Sequence, residues 1–274
     1  MKIQYLGTAA AEAIPAIFCD CDVCRRARFA GGRHIRTRSQ SIIDDRLLID
    51  FPCDSYEHFV RYKIDSSKIE NLLITHIHPD HFYPTDLGHL RSGYSHPAPD
   101  WRLRVYGSED IIEPLAGTVE AAGGHLETIA VKLFEPFAVG EYQVTALKAE
   151  HGTENPYIYL IEKGKTAMLY AHDTGIFPEE TIDYLAELRP KLALVSFDCT
   201  GGAAQDLSYG THMCLGRAAY LRDEMEYAGF LAPNSVCVLN HFSHNGEQVS
   251  YDEFEDIAIN EGFLTAYDGM SIEF

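Results

Sequence analysis

Residues 71–81 read Asn71-Leu-Leu-Ile-Thr-His-Ile-His-Pro-Asp-His81. An apolar strand ends at Thr75, and His76, His78, Asp80 and His81 then crowd into six positions. Three imidazoles and a carboxylate are too costly to bury as separate core polar groups. Together they are typical ligands for zinc and similar transition ions. His76 and His78 alternate as on an extended chain, so both can face one ion, while Asp80 and His81 can turn toward a second.

The same placement recurs three times downstream. The run Val144–Ala149 leads to His151, Ala167–Tyr170 leads to His172 and Asp173, and Val236–Asn240 leads to His241. Four apolar strands therefore deliver donors at their C-terminal ends, where a layered α/β protein keeps an open edge. His172 and Asp173 would point opposite ways on a strand, so one ligand is expected from the pair. Asp173 is that ligand, because a carboxylate can bridge two cations and a neutral imidazole cannot. The expected sets are His76, His78 and His151 for one ion, Asp80, His81 and His241 for the other, with Asp173 between them.

Outside these runs, further strand patterns fall at 2–8, 41–44, 47–51, 103–106, 128–134, 157–162, 166–170 and 192–197. Helical patterns fall at 55–63, 84–95, 109–122, 178–188, 215–228 and 251–261. Asp44-Asp45 and Gly164-Lys165 read as hairpin turns. The stretches Gly93–Trp101 and Cys199–Gly210 read as irregular loops. Strand pairs with helices inserted singly predict two sheets flanked by helices. No repeat, low-complexity segment or linker interrupts the 274 residues, which predicts a single domain over 1–274.

Composition narrows the function. With 22 basic and 41 acidic residues the formal charge is −19, which opposes binding a long nucleic acid. A hydrophobic content of 46% is enough for a large core and argues against disorder. No apolar run approaches the roughly 18 residues that span a bilayer, so no membrane is expected as partner. Gln4, Gly7, Glu12 and Pro15 break up any signal-peptide core at the N-terminus. Three of seven cysteines sit in Cys19-Asp-Cys-Asp-Val-Cys24, while Cys53, Cys199, Cys214 and Cys237 stand singly. Reduced thiols with a metal site, in a cytoplasmic protein, suit that pattern.

Thr75-His-Ile-His-Pro-Asp-His81, with His151, Asp173 and His241 downstream, resembles the metallo-β-lactamase superfamily. The resemblance covers nearly the whole chain and implies a four-layer αββα sandwich with a dinuclear site at its upper edge. Leu47-Leu-Ile-Asp50 resembles the early strand whose terminal Asp orients that site. A C-x-C-x2-C near the N-terminus, with His244 in His241-Phe-Ser-His244, is similar to PhnP-like cyclic phosphodiesterases of the carbon–phosphorus lyase pathway. Arg36-Thr-Arg-Ser-Gln-Ser41 resembles the same branch.

This resemblance implies a structural zinc on Cys19, Cys21, Cys24 and His244, pinning an N-terminal loop at about 15–40. It also implies two divalent ions, zinc or manganese, at the active site. Asp80 would orient ion and nucleophile, and His212 would contact the phosphate or protonate the leaving alkoxide. The implied function is hydrolysis of a small, cyclic phosphate diester by a metal-bridging hydroxide, the substrate being a phosphoribosyl 1,2-cyclic phosphate or a 2′,3′-cyclic nucleotide. Expected partners are the small phosphate ester alone, with homodimerisation left open. Four other readings share the motif: a tRNA-processing endonuclease, a PqqB-like biosynthesis or carrier protein, a lactonase or thioesterase, and a non-catalytic metal-stabilised scaffold. The endonuclease would need a basic exosite, for which Arg25–Arg38 is the one candidate. Asp198 is expected to be a structural support, and His89 and Arg91 solvated or capping groups. His34, His58, His96 and His125 belong to no constellation.

Overall fold

The computed structural model describes residues 1–247 and 249–274. The N-terminal half supplies β1 (Lys2–Gly7), β2 (Gln40–Ile43), β3 (Leu47–Ile49), β4 (Asn71–Leu73), β5 (Leu103–Gly107) and β6 (Leu126–Ala130). The rest supplies β7 (Phe137–Val139), β8 (Tyr142–Lys148), β9 (Tyr157–Lys163), β10 (Thr166–Ala171), β11 (Leu192–Asp198), β12 (Leu231–Asn240), β13 (Leu264–Thr265) and β14 (Ser271–Glu273). They form two sheets, ordered β14-β1-β2-β3-β4-β5-β6 and β13-β12-β11-β10-β9-β8-β7. The last strand thus returns to the first sheet and pairs antiparallel with β1.

Side-chain alternation explains the layers. Along β8 and β9, Val144, Ala146, Tyr159 and Ile161 face the first sheet, where they meet Ile3, Tyr5, Ile49 and Leu73. Leu147, Ile158 and Leu160 point the other way, into a second core. A strand apolar on both faces must be covered on both. The cover over the second sheet comes from α1 (Asp22–Ala30), α5 (Glu179–Leu188), α6 (Leu215–Tyr227) and α7 (Tyr251–Asn260), through Val23, Leu185, Leu221 and Phe254. Over the first sheet lie α2 (Ser55–Arg61), α3 (Glu109–Ile112) and α4 (Ala116–Ala121), with Phe59, Ile111 and Leu115 in the third core. The four-layer αββα sandwich expected from the sequence is therefore the fold.

Local chemistry sets the details. Asp44 and Asp45 both take positive φ, 50° and 57°, in the turn that brings Ile43 opposite Leu47. Asn and Asp tolerate that region better than other residues with a Cβ. The helix expected over 109–122 is split at Pro114, whose ring and missing N–H interrupt an α-helical ladder. The segment expected as a helix over 84–95 is a 3₁₀ helix limited to Pro84–Leu90. The largest differences in strand extent are at β6, which ends at Ala130, and at β12, which begins at Leu231. Helix α1 arises inside the cysteine loop, starting from Cys21, whose Sγ accepts the Cys24 N–H at 3.5 Å. No described helix is long and apolar enough to cross a membrane.

Candidate metal centre

Strands β3, β4 and β5 run parallel, as do β10, β11 and β12, so their C-terminal ends open on one edge of the sandwich. Asp50, Thr75, Asp173, Asp198 and His241 stand at those ends. Three of them leave the strand in the left-handed region, with φ of 65° at Asp50, 49° at Asp173 and 62° at His241. Each costs on the order of 1 kcal/mol, so the surrounding packing holds them there.

The two expected donor sets come together. His76 Nε2 and His151 Nε2 each lie 3.0 Å from His78 Nδ1, and His76 Nε2 is 3.1 Å from Asp173 Oδ2. In the second set, His81 Nε2 is 3.2 Å from His241 Nε2 and 3.5 Å from Asp80 Oδ2. The same Asp173 Oδ2 lies 2.9 Å from His81 Nε2, so one carboxylate oxygen adjoins both sets. Zinc held tetrahedrally at 2.0–2.1 Å places its ligands roughly 3.3 Å apart, and these donors are spaced for it.

The hydrogen bonds behind the imidazoles aim them. His81 Nδ1 donates to Asp50 Oδ2 at 2.7 Å, and Asp50 Oδ1 accepts the Thr75 N–H and hydroxyl at 2.8 and 2.9 Å. With its hydroxyl proton used there, Thr75 Oγ1 accepts from His76 Nδ1 at 3.0 Å. His151 Nδ1 donates to the Thr211 carbonyl at 3.2 Å. Each Nε2 is left with its lone pair directed inward, the tautomer that binds a metal. His78 alone offers Nδ1.

The electrostatics also call for cations. Burial would lower His81, but the charges of Asp50, Asp173 and Asp80 outweigh it and raise it well above its ordinary value. His241 is pushed up to about 10 against burial, chiefly by Asp173 and by its contact with Asp198. Without metal, the carboxylates balance their charge by protonating these two rings. Buried Asp173 Oδ1 has no hydrogen-bond partner. Both observations suit a centre built around positive ions.

His212 lies alongside, its Nδ1 3.1 Å from Asp198 Oδ2 and 3.3 Å from Asp173 Oδ1. Burial opposes its charge, yet Asp198 raises it. Asp198 does more than the support role expected of it. Its oxygens accept the backbone N–H groups of Asp173, Thr200 and Met213, tying the loop after β10 to both ends of the loop after β11. Thr200, which the sequence reading passed over, places Oγ1 2.9 Å from His241 Nδ1. The set opens into a cleft of about 460 Å³, whose far wall includes Ala10, Glu12, Ser243 and Asn245.

Cys19, Cys21, Cys24 and His244 form a separate cluster. His244 Nδ1 is 3.6 Å from Cys19 Sγ and 3.5 Å from Cys21 Sγ, close to the roughly 3.6 Å expected of sulfur and nitrogen on one zinc. Burial pushes the Cys24 thiol up to about 12, so a cation is needed there to hold a thiolate.

The remaining histidines are placed elsewhere. His172 turns away from Asp173, its Nε2 2.7 Å from Ser196 Oγ. His89 stacks on exposed Tyr94, and Arg91 lies over the same ring. His125 Nδ1 donates to the Trp101 carbonyl. His34 lies 3.5 Å from Asp252, and no described cluster of metal-binding groups includes it or His96.

Residues 46–241 match the family model of the beta-lactamase superfamily domain. Ribonuclease Z of Listeria monocytogenes serotype 4b is 31% identical over 147 residues, 51% of this chain and 47% of its own length. The chain thus spans about half the length of the curated relatives it matches. Among solved structures, a diphosphatase of the PhnP family aligns with 100% of this chain and 97% of its own, with a TM-score of 0.75 and 22% identity. Zinc-bound PqqB from Methylobacterium extorquens aligns over 100% of both chains, with a TM-score of 0.76 and 18% identity. Human tRNase Z, short form, covers 100% of this chain and 99% of its own at a TM-score of 0.66 and 17% identity. At those identities the likeness concerns the fold. The family match runs from the residue before β3 to His241 and takes in every donor of the two adjoining sets, and the chain belongs to the metallo-β-lactamase hydrolase superfamily.

Proposed function

We propose that this chain is a metal-dependent phosphodiesterase that opens a small cyclic phosphate diester, a phosphoribosyl 1,2-cyclic phosphate or a 2′,3′-cyclic nucleotide. The observation that carries this reading is the position of His212, its Nδ1 held 3.1 Å from Asp198 Oδ2 and 3.3 Å from the carboxylate that adjoins both donor sets. His76, His78 and His151 would hold one ion, Asp80, His81 and His241 the other, and Asp173 both. Two divalent cations, zinc or manganese, would polarise phosphoryl oxygens and supply an activated water. The chain's own groups do the rest. Asp198 holds Nδ1 of His212, leaving Nε2 to meet a substrate oxygen and hand its proton to the departing alkoxide. Asp80 borders the cleft, its Oδ2 3.5 Å from His81 Nε2, where it would orient an ion and the nucleophile. A cyclic diester keeps its leaving oxygen attached, so a compact cleft suffices. The Cys19, Cys21, Cys24 and His244 cluster would carry a structural zinc.

A second reading, a tRNA-processing endonuclease, is favoured by the similarity to ribonuclease Z. Against it, the basic stretch is taken up internally. Arg25 pairs with Asp20 and Asp22, Arg26 with Glu253, Arg33 with Glu255 and Arg38 with Asp54. Arg36 is buried against Phe242. Few of these cations remain for a polyanion.

The test is a substrate panel on protein loaded with zinc or manganese: bis(p-nitrophenyl) phosphate, ribose 1,2-cyclic phosphate, 2′,3′-cyclic nucleotides, a lactone and a precursor tRNA. Turnover of a cyclic diester above all others is expected. Absence of diester turnover with either metal, or preferred cleavage of the lactone or the tRNA, overturns the proposal.

A further inference from the structure

Behind Asp50 a chain of polar side chains runs away from the metal centre. Gln40 Nε2 donates to the Asp50 carbonyl and to Ser55 Oγ, both at 2.9 Å. Ser55 gives its own proton to the Pro52 carbonyl, so its oxygen can only accept from Gln40. The Gln40 amide is therefore fixed in orientation, with Oε1 toward His58. His58 Nδ1, 2.7 Å from that oxygen, must carry a proton. The opposite nitrogen, Nε2, lies 2.7 Å from Thr37 Oγ1, which in turn lies 2.6 Å from Asp268 Oδ2. Asp268 Oδ1 accepts from Thr8 Oγ1, and the Thr37 N–H also points at Oδ2.

Thr37 has a single hydroxyl proton for two short contacts. If neither Asp268 nor His58 Nε2 carries a proton, one contact sets lone pair against lone pair. If both carry one, the threonine proton has no acceptor. One proton between the two groups satisfies every bond.

We propose that His58 and Asp268 are positioning residues of the metal centre, sharing one proton through Thr37 and so fixing Gln40, the backbone at Asp50 and the direction of His81. Asp50 needs such a brace because its φ is positive and its carboxylate aims the His81 ring. The path also explains Gly7, where a Cβ would come within 2.9 Å of His58 Cε1 and 1.9 Å of the Arg38 carbonyl. Charged or titratable groups facing the relay are Asp54, Arg61 and Tyr62 from α2 and its C-terminal end, and Arg36 from the segment before β2. Burial pushes His58 down to about 4 and Asp268 up to about 6, so below pH 6 the shared proton resides on the carboxyl. The proposal rests on reading Asp80, His81, Asp173 and His241 as a metal site and is independent of the substrate.

Two measurements test it. In ¹⁵N-resolved NMR of the zinc-loaded protein at pH 5.5, His58 is expected as the neutral Nδ1–H tautomer. A protonated Nε2 beside a bare Nδ1 overturns the proposal without any variant. Separately, Thr37→Val removes the joining hydroxyl but keeps the backbone N–H to Asp268. Chelator competition should give roughly tenfold weaker zinc binding at the weaker active-site position, with Thr37→Ser within about twofold of the parent protein. Equal affinity in Thr37→Val overturns the proposal while leaving the hydrolase reading intact. Failure of the unaltered protein to bind zinc would overturn both.

Discussion

At the scale of single residues, the proposed chemistry centres on Asp173 and His212. One oxygen of Asp173 lies within 2.9 to 3.6 Å of nitrogens from His76, His81 and His151. His212 touches the other oxygen and is held by Asp198. If His212 supplies the leaving-group proton, His212→Asn should lower kcat about 10² to 10⁴-fold on a diester with an alkoxide leaving group. The loss should be much smaller with p-nitrophenolate, which leaves without protonation. Metal content, followed by elemental analysis, should stay at the parent value. An equal loss on both substrates would assign His212 to substrate binding instead. The motif His76-Ile-His-Pro-Asp-His81 was legible as a metal site because its spacing alone crowds four donors. Thr75, Thr200 and the Thr211 carbonyl were not, since a hydroxyl or carbonyl has no sequence pattern marking it as the partner of an imidazole.

At the scale of elements, the proposed zinc on the cysteine cluster would hold α1 and the loop before it. The helix has nine residues, too short to persist alone in water, and it buries Val23, Cys24 and Ala27. Exposed Ile17 and Phe18 flank the first cysteine, so apolar burial holds little of that loop. If the cluster holds the proposed zinc, Cys21→Ser should lose that ion and open residues 15–40 to proteolysis. A loss of about 2 kcal/mol in a chain of this size lowers Tm by roughly 5 °C. An unchanged melting curve with all three ions retained would remove the cluster from the account. The expected helix over 109–122 runs through Pro114, a breaker the sequence displays, whereas the short pairings of β7, β13 and β14 have no signal there. Strands of two or three residues carry no periodicity and exist because a neighbouring edge offers hydrogen bonds.

For the whole molecule, pH dependence of stability gives a measurement that needs no substrate. His58 sits at about 4 in the folded protein against an ordinary 6.5, so the unfolded chain binds its proton first and stability is lost as pH falls from 6.5 to 4. Asp268 sits at about 6 against 3.8, so its contribution is present at low pH and is lost as pH rises through 6. Between pH 4 and 6 the two nearly cancel. Asp268→Asn removes the second, and the metal-free variant should lose about 2 kcal/mol relative to the unaltered protein on going from pH 6 to pH 4. Urea titrations at the two pH values check this, and parallel stabilities would contradict it.

By itself, the sequence determined the layers and the donor set. Continuous apolar runs such as Tyr157–Ile161 require burial on both faces, and donors placed after four apolar runs can gather at one edge. Tertiary structure alone decided which nitrogen of each histidine faces inward, that Asp198 ties two loops together, and that Gln40 and His58 stand behind Asp50. Those assignments depend on partners such as Thr37 and Asp268, 231 positions apart, whose pairing becomes visible when the last strand returns to the first sheet. Periodicity reports the face a residue presents. Which group waits on that face is settled by distances that only packing sets.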